Sequence, residues 1–232
     1  MRVGVIQSCY VPWRGYFDFV ASVDLFVLYD DVTFSRGSWR NRNTLKMGAS
    51  QRWLTVPVNA HLDTPIDQVT IADTRWVKSH RGLIRESLGP ADYFEDARQL
   101  WEAAVGDGDG LLSSLNERLL RAVCGYLGIA TRIVRSRPYG AVGAKTERLV
   151  DLLRKVGADT YLSGSTARAY FDAKLFREAA IRLEWKSYDY EPYPQQAGPF
   201  IGTVSVLDLI ANCGPASPSH LRSRSPDVIT VP

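Results

Sequence analysis

The sequence predicts an α/β protein whose mostly parallel sheet is flanked by helices and interrupted by a helical insertion. Three observations carry this. RVGVIQ (2–7) and LFVLYDD (25–31) are apolar runs separated by a helix-length segment, as in a βαβ unit whose strands are buried on both faces. After residue 111 the chain alternates again, with LLSSLNERLLRAVCGYLG, TRIVRS, TERLVDLLRKVG and DTYLSG reading as helix, strand, helix and strand. Between the two series lie WVKSHRGLIRESLG and YFEDARQLWEAAV, whose mixed polar and apolar faces predict helices.

Each element follows from its own residues. SCYVPWRG holds Pro12 and Gly15 and reads as a turn, and YFDFVASV reads as a short helix. The alternation in RWLTVPV and DQVTIA predicts further strands, and GDGDG breaks the chain before the next helix. In TERLVDLLRKVG, Leu149, Leu152, Leu153 and Val156 keep helical spacing, and Gly157 sits where a C-terminal cap belongs. FREAA and VSVLDLIANC read as helices, RLEWKSYDY as extended chain, and residues from about 215 to 232, rich in Ser, Pro and Arg, as an irregular tail. The expected organisation is one Rossmann-like domain over residues 1–232, with a split near Gly110 as the less favoured alternative.

Composition removes several function classes. Apolar residues at 45% and charged residues at 23% are globular values, which argue against disorder and fibrous repeats. Twenty-eight Lys and Arg against 25 Asp and Glu leave a net charge of +3, too balanced for general nucleic-acid binding, so any anion site must be local. MRVGVIQ lacks a cationic leader with an apolar core, and no apolar stretch approaches membrane-spanning length; the expectation is a cytoplasmic protein without membrane insertion. Cys9, Cys124 and Cys213 are far apart and show no zinc spacing, so reduced thiols and no metal site are expected.

The densest polar stretch is DDVTFSRGSWRNRN (30–43), directly behind the second predicted strand. In open parallel sheets, ligands bind beyond the carboxyl ends of the strands, where this stretch and SCYVPWRG would both lie. Asp30 and Asp31 are adjacent, so strand geometry sends them to opposite faces and only one is expected to enter a site. If SRGSWRNRNTLK stays extended, Arg36, Ser38, Arg40, Arg42, Thr44 and Lys46 share one side, and Trp39, Asn41, Asn43 and Leu45 the other. That arrangement would make a cationic face suited to phosphate or carboxylate; a solvated edge strand is the alternative.

Other groups with chemistry are fewer. Cys9, at a strand-to-helix turn near Arg14, could carry a thiol of lowered pKa that accepts an acyl group. His80 is the best general-base candidate because imidazole titrates near neutrality, against the alternative of a half-buried helix histidine. His61 is placed at a loop, and His220 in the tail is discounted. YLSGSTARAY sets a small-residue turn after a strand, where amides around Gly164 and Ser165 could bind phosphate or an oxyanion, supported by Arg168 if it faces the same way.

IQSCYVPWRGYFDFVASVDLFVLYDDV, SWRNRNTLK, LTVPV, ADTYLSG, YPQ and LDLIANCGP, in this order, resemble the WbqC-like family of bacterial proteins over nearly the whole chain. The resemblance singles out Gln7, Tyr10, Pro12, Trp13, Gly15, Tyr16, Asp30, Asp31, Trp39, Arg40, Asn41, Arg42 and Asn43. Its later motifs add Tyr161, Ser163, Gly164, Tyr193, Gln195, Asp208, Asn212, Cys213 and Gly214. One departure is visible, since the family's turn reads QP, a variable residue, then YLPW, where this chain has Ser8 and Cys9. The resemblance implies work on surface polysaccharides such as O-antigen or on specialised metabolites, with aminoacyl or acyl transfer onto an amine as the suggested reaction.

The reading is a transferase in which Asp30 or Asp31 with His80, and at lower weight Cys9, handle the chemistry. Gln7, Tyr10, Trp13, Tyr16, Trp39, Arg40, Asn41, Arg42, Asn43, Ser163 and Gly164 would hold substrate. Its donor could be a phosphopantetheine thioester on an acyl or peptidyl carrier protein, and its acceptor a small-molecule amine. A nucleotidyltransferase-like enzyme using ATP and Mg²⁺ is the runner-up, because the strand, aromatic turn and helix at the N-terminus look somewhat like such enzymes, although their two histidines are absent. A non-catalytic module delivering a carrier-linked or nucleotide-linked intermediate is the third alternative.

Overall fold

The structure, a computed structural model, describes residues 1–106, 108–169 and 171–231; Asp107 of the GDGDG break, Tyr170 at the end of YLSGSTARAY and Pro232 lie outside them. From the N-terminus the elements are β1 (Arg2–Ile6), α1 (Arg14–Val20), β2 (Leu25–Leu28), β3 (Arg42–Met47), β4 (Ser50–Thr55), β5 (Val58–Asn59) and β6 (Thr70–Ile71). The insertion follows as α2 (Arg75–Leu88), α3 (Phe94–Val105) and α4 (Leu112–Tyr126). The second half is β7 (Arg132–Arg135), α5 (Lys145–Lys155), β8 (Thr160–Gly164), α6 (Ala173–Glu178), β9 (Arg182–Lys186), α7 (Val206–Cys213) and β10 (Val228–Val231).

The main sheet runs β10-β9-β8-β1-β2-β7, parallel throughout except for β10 at the edge. Its first half builds outward from β1 through β2 to β7, and the chain then crosses back to place β8 and β9 on the other side of β1. The β1–β8 boundary is therefore the topological switch point of a doubly wound, Rossmann-like sheet. Side chains alternate across it as strand geometry demands. Val3, Val5, Leu25 and Val27 pack with α5 and α6 on one face, whereas Phe26 and Leu28 join α1 and the insertion on the other. Gly4 lets α1 lie close, since a Cβ there would stand 2.4 Å from the Phe19 ring.

Two expectations are corrected. SRGSWRNRN does not continue extended: residues 36–41 are turns, Gly37 has φ +67°, and the strand begins only at Arg42. The proposed cationic face does not form, because Arg36 donates to the Ala60 carbonyl, Arg42 lies 4.3 Å over the Trp53 ring, and Lys46 is buried with its ammonium 2.5 Å from two carbonyls, Gln196 and Ala197. The tail is also more regular than expected, with 3-10 helix over Gly214–His220 and β10 paired to β9. His220 lies in it, and its carbonyl accepts from Arg14 Nη1 at 3.1 Å.

Candidate functional site

The chain leaves β1 at Ile6 and turns through Gln7–Pro12 at the carboxyl edge of the sheet. This turn is held by the polar stretch after β2. Tyr10 N donates to the Trp39 carbonyl at 3.0 Å, and Asn43 Nδ2 donates to the carbonyls of Tyr10 and Val11 at 3.1 and 3.0 Å. Val11 is thereby kept at φ +35°, a conformation that costs a β-branched residue about 1–3 kcal/mol and persists only where neighbours over-determine it. Arg40 Nη1 donates to Gln7 Oε1, and Asn116 Nδ2 on α4 ties the Arg40 carbonyl to Ser8 Oγ.

Asp30 and Asp31 point to different partners, as their adjacency requires. Asp30 is buried, accepting from Ser8 N at 2.8 Å and from Ser113 Oγ, so it links the turn to the start of α4. Burial raises its pKa, while the Ser113 and Ser8 hydrogen bonds and the Arg40 charge pull the other way. Asp31 accepts from Arg148 Nη2 at 2.7 Å and from Ser136 Oγ, joining α5 to the segment after β7.

Two cavities open where these segments meet. The larger, about 760 Å³, is bounded by Val5, Ile6 and Gln7 after β1, Tyr161, Ser163 and Gly164 of β8, Lys145 and Thr146 of α5, and Tyr29, Phe171 and Tyr188. The smaller, about 310 Å³, is lined by Cys9, Pro12, Trp13, Tyr16, Trp39, Asn43 and Thr203. Ile6 and Arg40 line both. The larger one straddles the β1–β8 switch point. A surface hollow of about 610 Å³ beside Glu117, Arg118, Arg121 and Arg135 offers less, since Glu117 pairs with Arg121 and Arg135, and Arg118 donates to the Ala104 carbonyl.

The structure thus brings Gln7, Arg40, Ser163 and Gly164 to one cavity and Cys9, Trp13, Tyr16, Trp39, Arg40 and Asn43 to the other. Tyr10, Asp30, Asp31, Asn41, Arg42 and His80 line neither. Asn41 Nδ2 donates to the Val56 carbonyl, a contact that closes the hairpin rather than facing a cleft. His80 is 3% exposed among Trp76, Trp101 and Tyr10. Trp101 Nε1 donates to Tyr10 Oη at 2.8 Å, and Tyr10 Oη and His80 Nδ1 share a hydrogen bond at 2.9 Å. Burial holds this imidazole down at about 4, against the opposing pull of the Thr55 backbone.

The lowered thiol pKa expected for Cys9 is also corrected. Arg14 is engaged with the Glu191 carbonyl at 2.8 Å and stacks over Tyr190 and Tyr193, and burial pushes the Cys9 thiol up to about 11 against the opposing charge of Arg40. Arg168 lies 5.6 Å over the Trp185 ring. The residues after β8 form a 3-10 helix, Ser165–Ala169, not an α-helix.

Sequence reasoning missed Tyr29, Lys145, Thr146, Phe171 and Tyr188. A signal for two of them was present: strand TRIVRS, then Gly140 and Gly143, then Lys145 and Thr146 opening a helix, an order that places a cation at the carboxyl edge of a sheet. Among the described residues, no group of three or more His, Cys, Asp and Glu side chains is placed to hold a metal ion.

A doubly wound sheet with a two-lobed cleft at its switch point defines a Rossmann-like α/β protein whose candidate site lies where such folds take ligands. More particularly, the chain belongs to the WbqC-like protein family, whose model matches residues 7–220. It is 41% identical over 226 residues to an uncharacterized protein of Mycobacterium tuberculosis, covering 95% of this chain and 97% of that one. No solved structure matches it. Among the described residues, no helix is long and apolar enough to cross a membrane.

Proposed function

We propose that this protein is a cytoplasmic transferase that moves an aminoacyl or acyl group from an activated donor to a small-molecule amine. The observation that carries the reading is the sharing of Arg40 and Ile6 by two adjoining cavities, because a group transfer needs two ligands with their reacting ends at one boundary. The donor occupies the larger cavity, and the amine enters the smaller one between Trp13, Tyr16 and Trp39.

With a thioester donor the step balances without an enzyme nucleophile. The amine nitrogen attacks the thioester carbonyl carbon, a C–N bond forms, the C–S bond breaks, and the amine proton leaves with the departing thiolate. Cys9, with its thiol pushed up, and His80, buried away from both cavities, take no part in this scheme. Asp30 acts by positioning Ser8 and the turn behind Arg40.

The test is incubation of the purified protein with acyl and aminoacyl thioesters of phosphopantetheine, free and carrier-bound, plus a panel of amino sugars and small amines, read by mass spectrometry for a new amide. Absence of amide with every pair would sink the reading. The doubly wound strand order favours nucleotidyl transfer as the second reading, since such sheets take nucleotides at the switch point. Pyrophosphate release from ATP in the presence of Mg²⁺ would select it. Binding without turnover in either assay would select a delivery module.

A further inference from the structure

Several cations of this chain are neutralised by a carboxylate. Arg2, Arg75, Arg81, Arg98, Arg121, Arg135, Arg137 and Arg148 all are, as are Lys155 and Lys186. Arg40 and Lys145 differ: both line the 760 Å³ cavity, and among the described residues neither is paired with a carboxylate. Arg40 donates to the neutral oxygen of Gln7, its charge acts on Asp30 and Cys9 without a salt bridge to a carboxylate, and its Nε is a buried donor with no partner. Ser163, 3% exposed and in the same wall, accepts from Tyr161 Oη at 3.4 Å, and among the described residues its own proton has no acceptor.

We infer that the larger cavity is a phosphate-ester site, in which Arg40 and Lys145, with the Ser163 hydroxyl, hold the phosphate of the ligand. The two cations come from different parts of the chain, Lys145 from the start of α5 and Arg40 from the loop before β3. Without an anion the buried Arg40 Nε is left unmet; a phosphate would meet it and serve both cations, because it carries multiple charge and several acceptor oxygens.

The ligand must also carry an apolar or planar part, since Tyr29, Tyr161, Phe171 and Tyr188 make up much of the remaining wall. A nucleotide and a phosphopantetheine arm share this chemistry. The inference rests on the reading that the larger cavity takes the donor, and it adds the donor's chemical class.

The experiment is calorimetric titration of the full chain with pyrophosphate, ADP and phosphopantetheine, each against the wild type, Lys145→Ala, Lys145→Glu and an off-site control, Lys78→Ala. Lys145 and Lys78 are both exposed, so each variant should melt with the wild type. The expected result is that at least one organic phosphate binds, that Lys145→Ala weakens it about tenfold, in line with the loss of one charge-assisted hydrogen bond, and that Lys145→Glu abolishes it. Lys78→Ala should bind as the wild type does. ADP binding tighter than phosphopantetheine points to a nucleotide donor, and the reverse to a carrier arm. If none of the three binds at millimolar concentration, or if Lys145→Ala and Lys78→Ala behave alike, the site is refuted. Amide formation failing while binding stays dependent on Lys145 would instead remove the transferase reading and leave this site standing.

Discussion

Arg40 donates from Nη1 to the side-chain oxygen of Gln7, and this contact joins the loop before β3 to the end of β1. A guanidinium held by a neutral amide, with no carboxylate in salt-bridge contact, leaves charge available for a ligand. That distinguishes it from Arg148, whose charge is already met by Asp31.

Arg40→Ala should therefore cut ligand affinity and turnover at least tenfold, the scale of a lost charge-assisted hydrogen bond, with little change in melting temperature. Arg42→Ala should leave affinity within about twofold, because Arg42 stacks on Trp53 and lines neither cavity. Titration of the two variants side by side decides the matter; equal losses would mean that the turn 36–41 rearranges on binding.

Asn43→Ala should damage the fold before it damages the site. Its buried amide serves the carbonyls of Tyr10 and Val11 and accepts from Thr44 N at 2.8 Å, so truncation leaves several buried groups unmet. A loss of about 2–4 kcal/mol in urea unfolding is expected. Stability within 0.5 kcal/mol of wild type, on the order of a surface change, would contradict this account of the turn.

His80 makes stability depend on pH with a defined sign. Its folded pKa of about 4 lies below the ordinary 6.5, so the unfolded chain takes up the proton first as pH falls. The contribution is complete above pH 6.5 and is lost progressively toward pH 4. Its full size is roughly 3 kcal/mol. Unfolding free energies of wild type and His80→Gln across this range should differ in slope, and imidazole NMR should find one neutral tautomer at pH 5.5, about a unit below the free value. A protonated His80 at that pH would return it to candidacy as an acid or base.

Cys9→Ser should retain most activity. With burial pushing the thiol up to about 11, alkylation by iodoacetamide at neutral pH should be slower than for a free cysteine. An acyl adduct trapped on Cys9 and found by mass spectrometry would overturn this.

Much of the architecture was legible because it is written in local periodicity. Continuous apolar runs at 2–7 and 25–31 read as buried parallel strands, and the spacing of Leu149, Leu152 and Leu153 as the inner face of a helix, since burial selects those residues one position at a time. Placing DDVTFSRGSWRNRN at the carboxyl edge followed from strand direction alone. Its internal geometry did not follow. Asn43 and Lys46 look like surface donors in a string of polar residues, yet each is consumed by a carbonyl from a distant segment, Tyr10 in one case and Gln196 in the other. His80 stood out because imidazole titrates near neutrality, but its neighbours in space are Tyr10, Trp76 and Trp101.

By itself, then, the sequence determined the family, the doubly wound class and the edge of the sheet at which polar chemistry gathers, because each depends on residues close together in the chain. Only the tertiary structure decided which polar groups remain free. That choice turns on which buried carbonyls and carboxylates claim a donor first, and those acceptors arrive from remote segments: Tyr10 for Asn43, Asp31 for Arg148, and none among the described carboxylates for Arg40 and Lys145.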